Sequence, residues 1–453
     1  MREKTINMIS LTAEKGLYQS QFASVEKSLR NEPTWLAGIR KAAMDRFLSV
    51  GFPTTHDEDW RFTSVAPISR IPFKLASSFS HRQALTALPA LTFGSLPGPQ
   101  IVFVNGEFAP KLSTLVGSKD DVQVESLESV LNSQPELLSN HLCRHAGYDE
   151  HAFVALNTAF FRKGAVVRIG KNRLVEQPIH ILYISTKLEE PVVFYPRNLI
   201  LAESNSQARI LESYVSVGNG VYLNNAVTEI VLAENAILDH YSFQQESLEA
   251  FHIATLDVHQ SRVSNFSTHS ISLGGALVRN DVNVVLDGEG GEALLNGLYV
   301  VRGQQHVDNH TRIEHAKPHC SSREFYKGIL DEKARAVFNG RIIVRPGAQK
   351  TDSKQTNRNL LLSEEALANT NPQLEIYADD VKCTHGATVG QLSAEALFYL
   401  RSRGIDLETA RNILTYAFAS ELTNRIKISS LREGLEKILF RDLPGYQELK
   451  ESL

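Results

Sequence analysis

Residues 166–389 are a succession of short β-rich runs broken by Gly, Asn, Asp and Glu, and no amphipathic helix of normal length interrupts them. The runs at 179–184, 199–201, 227–232, 282–286 and 341–344 are examples. This pattern disfavours a doubly wound parallel sheet, whose strands are joined by crossover helices. A loose echo runs through the span. Leu201, Leu232, Leu286 and Leu330 each end an apolar pair that leads into a small polar turn and another strand. They are spaced 31, 54 and 44 residues apart (232−201, 286−232, 330−286). Such uneven spacing is not a strict repeat. It suits a β-solenoid with corners of variable length better than a propeller, and a two-sheet sandwich shares the pattern.

Helical signals flank the β span. Leu36, Ile39, Ala43, Phe47 and Val50 recur at three and four, which predicts a helix over 35–50 stopped by Gly51-Phe52-Pro53. Residues 57–62 read as a charged turn anchored by Trp60, with nothing catalytic in it. The proline-rich stretch 78–100 reads as loop. Residues 101–104 form a strand entering an Asn105-Gly106 turn, a strong hairpin signal. Helical spacing returns over 124–142 and again over 153–161. At the other end Ser393 and Asp406 can cap two helices, the first closing near Gly404. A third helix is expected over 431–440, ending before Pro444-Gly445. These helices either dock a partner or cap the end of the solenoid.

Charge and cysteine usage narrow the function. Lys plus Arg number 47 and Asp plus Glu 51, a net charge of −4 with no basic block, which argues against electrostatic nucleic-acid binding. Residues 1–7 lack the apolar core of a secretory signal, and no run reaches the length of a membrane span. Cys143, Cys320 and Cys383 are too few and too scattered for a disulfide framework, so a reducing cytoplasmic setting is expected. Three cysteines cannot supply a four-cysteine metal or cluster site from one chain. Metal chemistry must therefore use histidine or borrow a partner's ligands.

Three motifs bear on chemistry. Gly288-Glu289-Gly290-Gly291-Glu292-Ala293 loosely fits a dinucleotide fingerprint, but residues 294–300 read as strand, so the helix N-terminus that would hold phosphate is missing. There is no Walker A sequence and no G-x-S-x-G elbow. His306, His310, His315 and His319 crowd before Cys320. No C-x-x-C precedes them and Pro318 opposes a shared helix, so they read as polar residues lining strands and corners, with a metal-trafficking surface as the functional alternative. Cys383 and His385, two apart on a strand, share a face. That places a soft thiol and an imidazole side by side, a ligand-like pair; a small buried thiol among polar neighbours is the equal alternative.

Longer motifs then carry a resemblance. The run 371–390, with Asp379, Asp380, Cys383 and His385, closely resembles the C-terminal signature of the SufD family of iron–sulfur cluster assembly proteins. Gly51-Phe52-Pro53-Thr54 with Asp57-Glu58-Asp59-Trp60, Val102-Phe103-Val104-Asn105-Gly106, Ala155-Leu156-Asn157-Thr158-Ala159-Phe160, Tyr326-Lys327-Gly328-Ile329-Leu330 and Gln355-Thr356-Asn357-Arg358-Asn359-Leu360 are similar to its other motifs, in the same order. Lys163-Gly164 stands where the family has Asp-Gly, a change confined to a turn.

The resemblance implies a mainly β chain: a mainly helical N-terminal domain over 1–160, a right-handed β-helix core over 161–390 and a helical C-terminal domain over 391–453. It implies a non-catalytic scaffold that pairs with SufB through the end of the β-helix and docks the ABC-type ATPase SufC through its C-terminal helices. A cysteine desulfurase system supplies sulfur in that picture. A transient iron–sulfur cluster then forms at the SufB interface, with the family's functional histidine and nearby cysteine falling on His385 and Cys383. Whether a flavin joins the complex, and whether the isolated chain forms homodimers, the sequence leaves open. Two other readings stand beside this one: a purely structural stabiliser of SufB and SufC, and a β-helix carbohydrate-active enzyme using Asp379, Asp380 and Lys382, for which secretion would be expected.

Overall fold

The computed structural model of the chain describes residues 2–29, 32–76, 82–91, 93, 96–115 and 122–440. Among the described residues the strands form two sheets of 11 and 10, in which, from Arg197–Ala202 onward, each strand is hydrogen-bonded to the next-but-one strand in sequence. The chain therefore crosses one sheet, turns, crosses the other, and returns one rung higher. In one sheet Leu277 pairs with His306, His306 with Arg335 and Arg335 with Leu367, all in parallel register. About eight such turns make a β-solenoid.

Alternation of side chains explains why this sequence closes into a tube. Every second residue points inward and stacks on its equivalent in the next rung. Ile200, Ile230, Val258, Val284, Ile313, Ile342 and Leu374 form one such aliphatic ladder. The six below Leu374 are buried, each side chain stabilising the fold by roughly 1.5–3 kcal/mol. On the second sheet Phe103, Tyr183 and Tyr214 stack in register, with ring centroids 4.8 and 4.9 Å apart.

The corners explain the polar breaks. Asn172, Asn205 and Asn235 occupy successive left-handed turns at φ of 60, 59 and 60°. Asparagine tolerates that conformation better than other residues with a β-carbon. Their amides are joined rung to rung: Asn205 Nδ2 donates to Asn172 Oδ1 at 2.8 Å, and Asn235 Nδ2 to Asn205 Oδ1 at 2.9 Å. Gly290 and His319 continue the same left-handed column. The glycine cluster at 288–291 is thus a solenoid corner. A β-carbon at Gly288 would lie 2.0 Å from the backbone nitrogen of Arg262.

The leucine echo proves to be a mixture. Leu232 and Leu286 belong to one ladder through Gln260, two turns apart, whereas Leu201 pairs one position away with Val231 and Leu330 sits in the other sheet. Spacings of 54 and 44 residues are therefore two turns and about one and a half.

Helices pack at both ends of the sequence. Thr34–Val50 ends at Gly51 in a positive-φ turn and buries Leu36, Ala43 and Phe47 against Ala152–Phe160. Trp60 lies under the Arg279 guanidinium at 3.8 Å and tilts against Phe153, which ties residues 58–60 to the solenoid flank. The Asn105-Gly106 turn is a two-residue hairpin, with Val104 opposite Glu107 and both turn residues at positive φ.

Two expectations need correction. Residues 124–142 are not one helix: a strand Val122–Ser126 is followed by Leu127–Ser133 and Pro135–His141. Ser126 caps the first of these helices and Pro135 cannot continue it. Within 78–100, Arg82–Leu91 is helical, and Ala84 and Leu88 pack on the second sheet. Residues 78–81, 92, 94 and 95 lie outside the described residues.

The C-terminal helices are Ala394–Ser402, Leu407–Thr423 and Ser429–Phe440; Pro444-Gly445 lies outside the described residues. Ser393 and Asp406 cap the first two through hydrogen bonds from Ala396 and Thr409. Ala419, Leu422, Ile426, Ile428, Leu431 and Leu435 pack along the side of the second sheet against Tyr241, Phe243, Phe325 and Ile329. The second and third helices therefore pack on the solenoid's flank, and among the described residues none covers its last rung. Among the described residues no helix is long and apolar enough to cross a membrane.

Candidate functional site

The last rung consists of Leu367–Ile376 in one sheet and Lys382–Gly390 in the other, and among the described residues each pairs on one side only. The rung beneath alternates buried and exposed positions, as a covered strand should. On Lys382–Gly390 every residue except Cys383 is exposed. Leu367, Ile376, Tyr377 and Val389 all present large apolar surface here, Tyr377 at 58% exposure. An uncovered rung with free backbone donors and acceptors is a template for another β-structure.

Cys383 and His385 sit on this rung in register with Ser353 and Gln355, both buried inside the tube. The shared face expected from their spacing is thus the inward face. Cys383 is half-buried and packs on Ile342, Val344, Ala348 and Ala378. Burial pushes its thiol pKa up, partly offset by a backbone hydrogen bond from Ser353, so a metal ion must displace the thiol proton. His385 is exposed, with no further rung over it among the described residues.

Lys350 and Asp380 form an ion pair at the neighbouring corner, and the Asp380 backbone N–H donates to Gln349 Oε1 at 2.9 Å. Both of these contacts of Asp380 are with the adjacent corner, at residues 349 and 350.

The upstream histidines separate. His306 meets Thr63 Oγ1 at 2.9 Å, and His310 contacts Asp308 at 3.0 Å. His315 is buried against Ser322 at 2.9 Å, and burial lowers its pKa to about 4. His319 turns a corner, and Cys320 donates to Gly288 O. The alternation of strand positions puts His315 inside and His306 and His310 outside. Among the described residues no group of three or more His, Cys, Asp and Glu is placed to hold a metal ion.

Glu324, and the interior place of Gln355 beneath His385, escaped the sequence reading. Glu324 and Gln355 are register partners directly below His385, and Gln355 Nε2 donates to Glu324 Oε2 at 2.6 Å. Burial pushes the Glu324 carboxyl up to about 7. The only signal available was rung register, which variable corner lengths conceal.

The candidate site is therefore the open end of a β-solenoid with helices packed on its flank and a thiol and an imidazole on its last rung. Residues 183–418 match the family model for the SufBD core domain of SUF-system iron–sulfur cluster assembly, and residues 12–181 match the SufBD N-terminal region. The chain belongs to this SufBD family and is SufD-like. It is 33% identical to the iron–sulfur cluster assembly protein SufD of Escherichia coli, over 89% of this chain and 92% of that one. It is 36% identical to an iron–sulfur cluster assembly SufBD family protein of Synechocystis, over 90% and 91%. To SufD of Bacillus subtilis it is 25% identical, over 90% and 94%.

Proposed function

We propose that the chain is a non-catalytic scaffold subunit of a cytoplasmic SufB–SufC–SufD-type complex, and that its open rung completes a transient cluster site with SufB. The observation that carries this reading is the last rung itself: unpaired along its edge among the described residues, exposing Leu367, Ile376 and Val389, and holding Cys383 and His385 at inward positions. Two groups make an incomplete ligand set, and the partner supplies the rest. The cluster is cargo, and weak shared ligation suits a group that is handed on to acceptors. His385 is the principal ligand. Cys383, with its raised pKa, supports the interface or adds a second bond.

The C-terminal helices are the surface for SufC. Ala394–Ser402 buries no residue and presents Phe398 at 74% and Tyr399 at 55% exposure. The next helix is tied to the solenoid where Lys327 Nζ meets Glu421 at 2.5 Å and Phe418 O at 2.8 Å. Movement of a bound ATPase is passed to the rungs through that contact.

Native mass measurement on the chain co-expressed with SufB and SufC tests the arrangement. Val389→Glu with Ile376→Glu should remove SufB, and Phe398→Ala with Tyr399→Ala should remove SufC alone. Retention of SufB by the open-rung variant would sink the pairing. A homodimer formed by the isolated chain and lost in that same variant would place self-pairing on the same rung.

A further inference from the structure

The buried pair beneath His385 has an unused acceptor. Gln355 and Glu324 are 1% and 2% exposed, one and two rungs below the open end. The Gln355 amide spends its Nε2 on Glu324, and its Oε1 has no hydrogen-bond partner among the described residues although it is buried. A buried amide oxygen without a donor loses its solvation with nothing in return, so its persistence calls for an explanation. Space has been cleared for this side chain: a β-carbon at Gly340 would lie 1.8 Å from Gln355 Nε2. The residue directly above Gln355, one strand spacing of about 4.8 Å away, is His385.

We propose that Gln355 is a positioning residue for His385, its Oε1 accepting one imidazole N–H so that the other ring nitrogen presents its lone pair to the cluster at the open end. This deepens the ligand reading given above and rests on it. Histidines that bind metal generally donate their second ring nitrogen to a fixed oxygen, which sets both tautomer and ring orientation. Here the fixed oxygen would come from an amide held in place by Glu324. Glu324 therefore acts at one remove: it orients Gln355, which orients His385. Nothing in this arrangement requires a change of protonation at either interior residue.

The test uses the full chain labelled with nitrogen-15 histidine, at a pH where the imidazole is neutral. The His385 signals are assigned by their loss in His385→Ala. One tautomer should dominate in the wild type, and Gln355→Met, which keeps the bulk and removes the acceptor, should give a mixture of both. The double variant Glu324→Gln with Gln355→Glu restores an amide–carboxylate pair in inverted order and should recover the single tautomer. A merely structural role for Gln355 would not be rescued in this way. Equal tautomer ratios in the wild type and Gln355→Met would overturn the proposal. If Gln355→Met does not fold, Gln355→Asn, whose oxygen is too short to reach, takes its place with the same expected mixture.

In the co-expressed complex, Gln355→Met should also lower cluster retention by about 10–100-fold, the usual effect of removing such a support. The two readings fail separately. Unchanged cluster content in His385→Ala overturns the ligand reading, whereas unchanged tautomers overturn the Gln355 contact.

Discussion

Replacing Glu324 with Gln should change the pH dependence of stability in a direction and over a window set by its burial. The carboxyl is 2% exposed, and burial lifts its pKa from 4.5 to about 7. Because the folded-state pKa is raised, both states are protonated below about pH 4.5. Between 4.5 and 7 the unfolded chain ionises while the folded chain does not, so stability falls as pH rises. Above 7 the full penalty is present. At 1.36 kcal/mol per pKa unit the penalty is about 3 kcal/mol. Glu324→Gln removes it while keeping a polar group against Gln355. Urea unfolding of both proteins at pH 5 and pH 8 isolates the effect, since other titrating groups such as Asp257 cancel in the comparison. The variant should gain about 2.5 kcal/mol relative to the wild type on going from pH 5 to pH 8, since the unfolded carboxyl is already largely ionised at pH 5. An identical difference at both pH values would refute the assignment of a buried carboxyl that is neutral over this window.

Other substitutions test other parts of the fold. Gly288→Ala forces a β-carbon onto the backbone of Arg262 and should cost on the order of 3 kcal/mol in urea unfolding with no nucleotide present, whereas a nucleotide loop would tolerate it until ligand was added. Asn205→Ala removes both links of the corner ladder and leaves alanine in a left-handed turn, for a loss of about 1–2 kcal/mol read as a lower urea midpoint. Glu229 is fully buried against Arg197 at 2.7 Å and accepts backbone N–H groups from residues 143–146. Burial opposes its ionisation, but Arg197 and these donors outweigh it and hold its carboxyl below the usual range. Glu229→Gln strands the guanidinium and should cost about 3–5 kcal/mol by the same assay.

Much of the fold was readable in the sequence because a solenoid is a local rule repeated. The short β-rich runs and the absence of crossover helices favoured a β-solenoid but left a two-sheet sandwich standing, and the family resemblance supplied the β-helix. Register was not readable. The echo of Leu201, Leu232, Leu286 and Leu330 combined ladders from two sheets, because corners differ in length and nothing in a leucine marks which sheet it faces. The helix Arg82–Leu91 was hidden by Pro89, which weighed more in the pattern than the apolar face that packs on the second sheet. For the candidate site, the Cys383–His385 spacing correctly indicated a common face. That this face closes the tube, and that Gln355 and Glu324 stand beneath His385, depends on residues 30 and 31 positions apart (385−355, 355−324) meeting in register.

The central claim is that the open rung holds cluster cargo through His385. Iron and acid-labile sulfide, measured anaerobically in the complex co-expressed with SufB and SufC, test it most directly. His385→Ala should assemble normally by native mass yet carry at least about tenfold less cluster, in keeping with the loss of a metal-site group. Cys383→Ser should have the smaller effect. Undiminished iron and sulfide in an intact His385→Ala complex would contradict the account and leave the chain a purely structural partner.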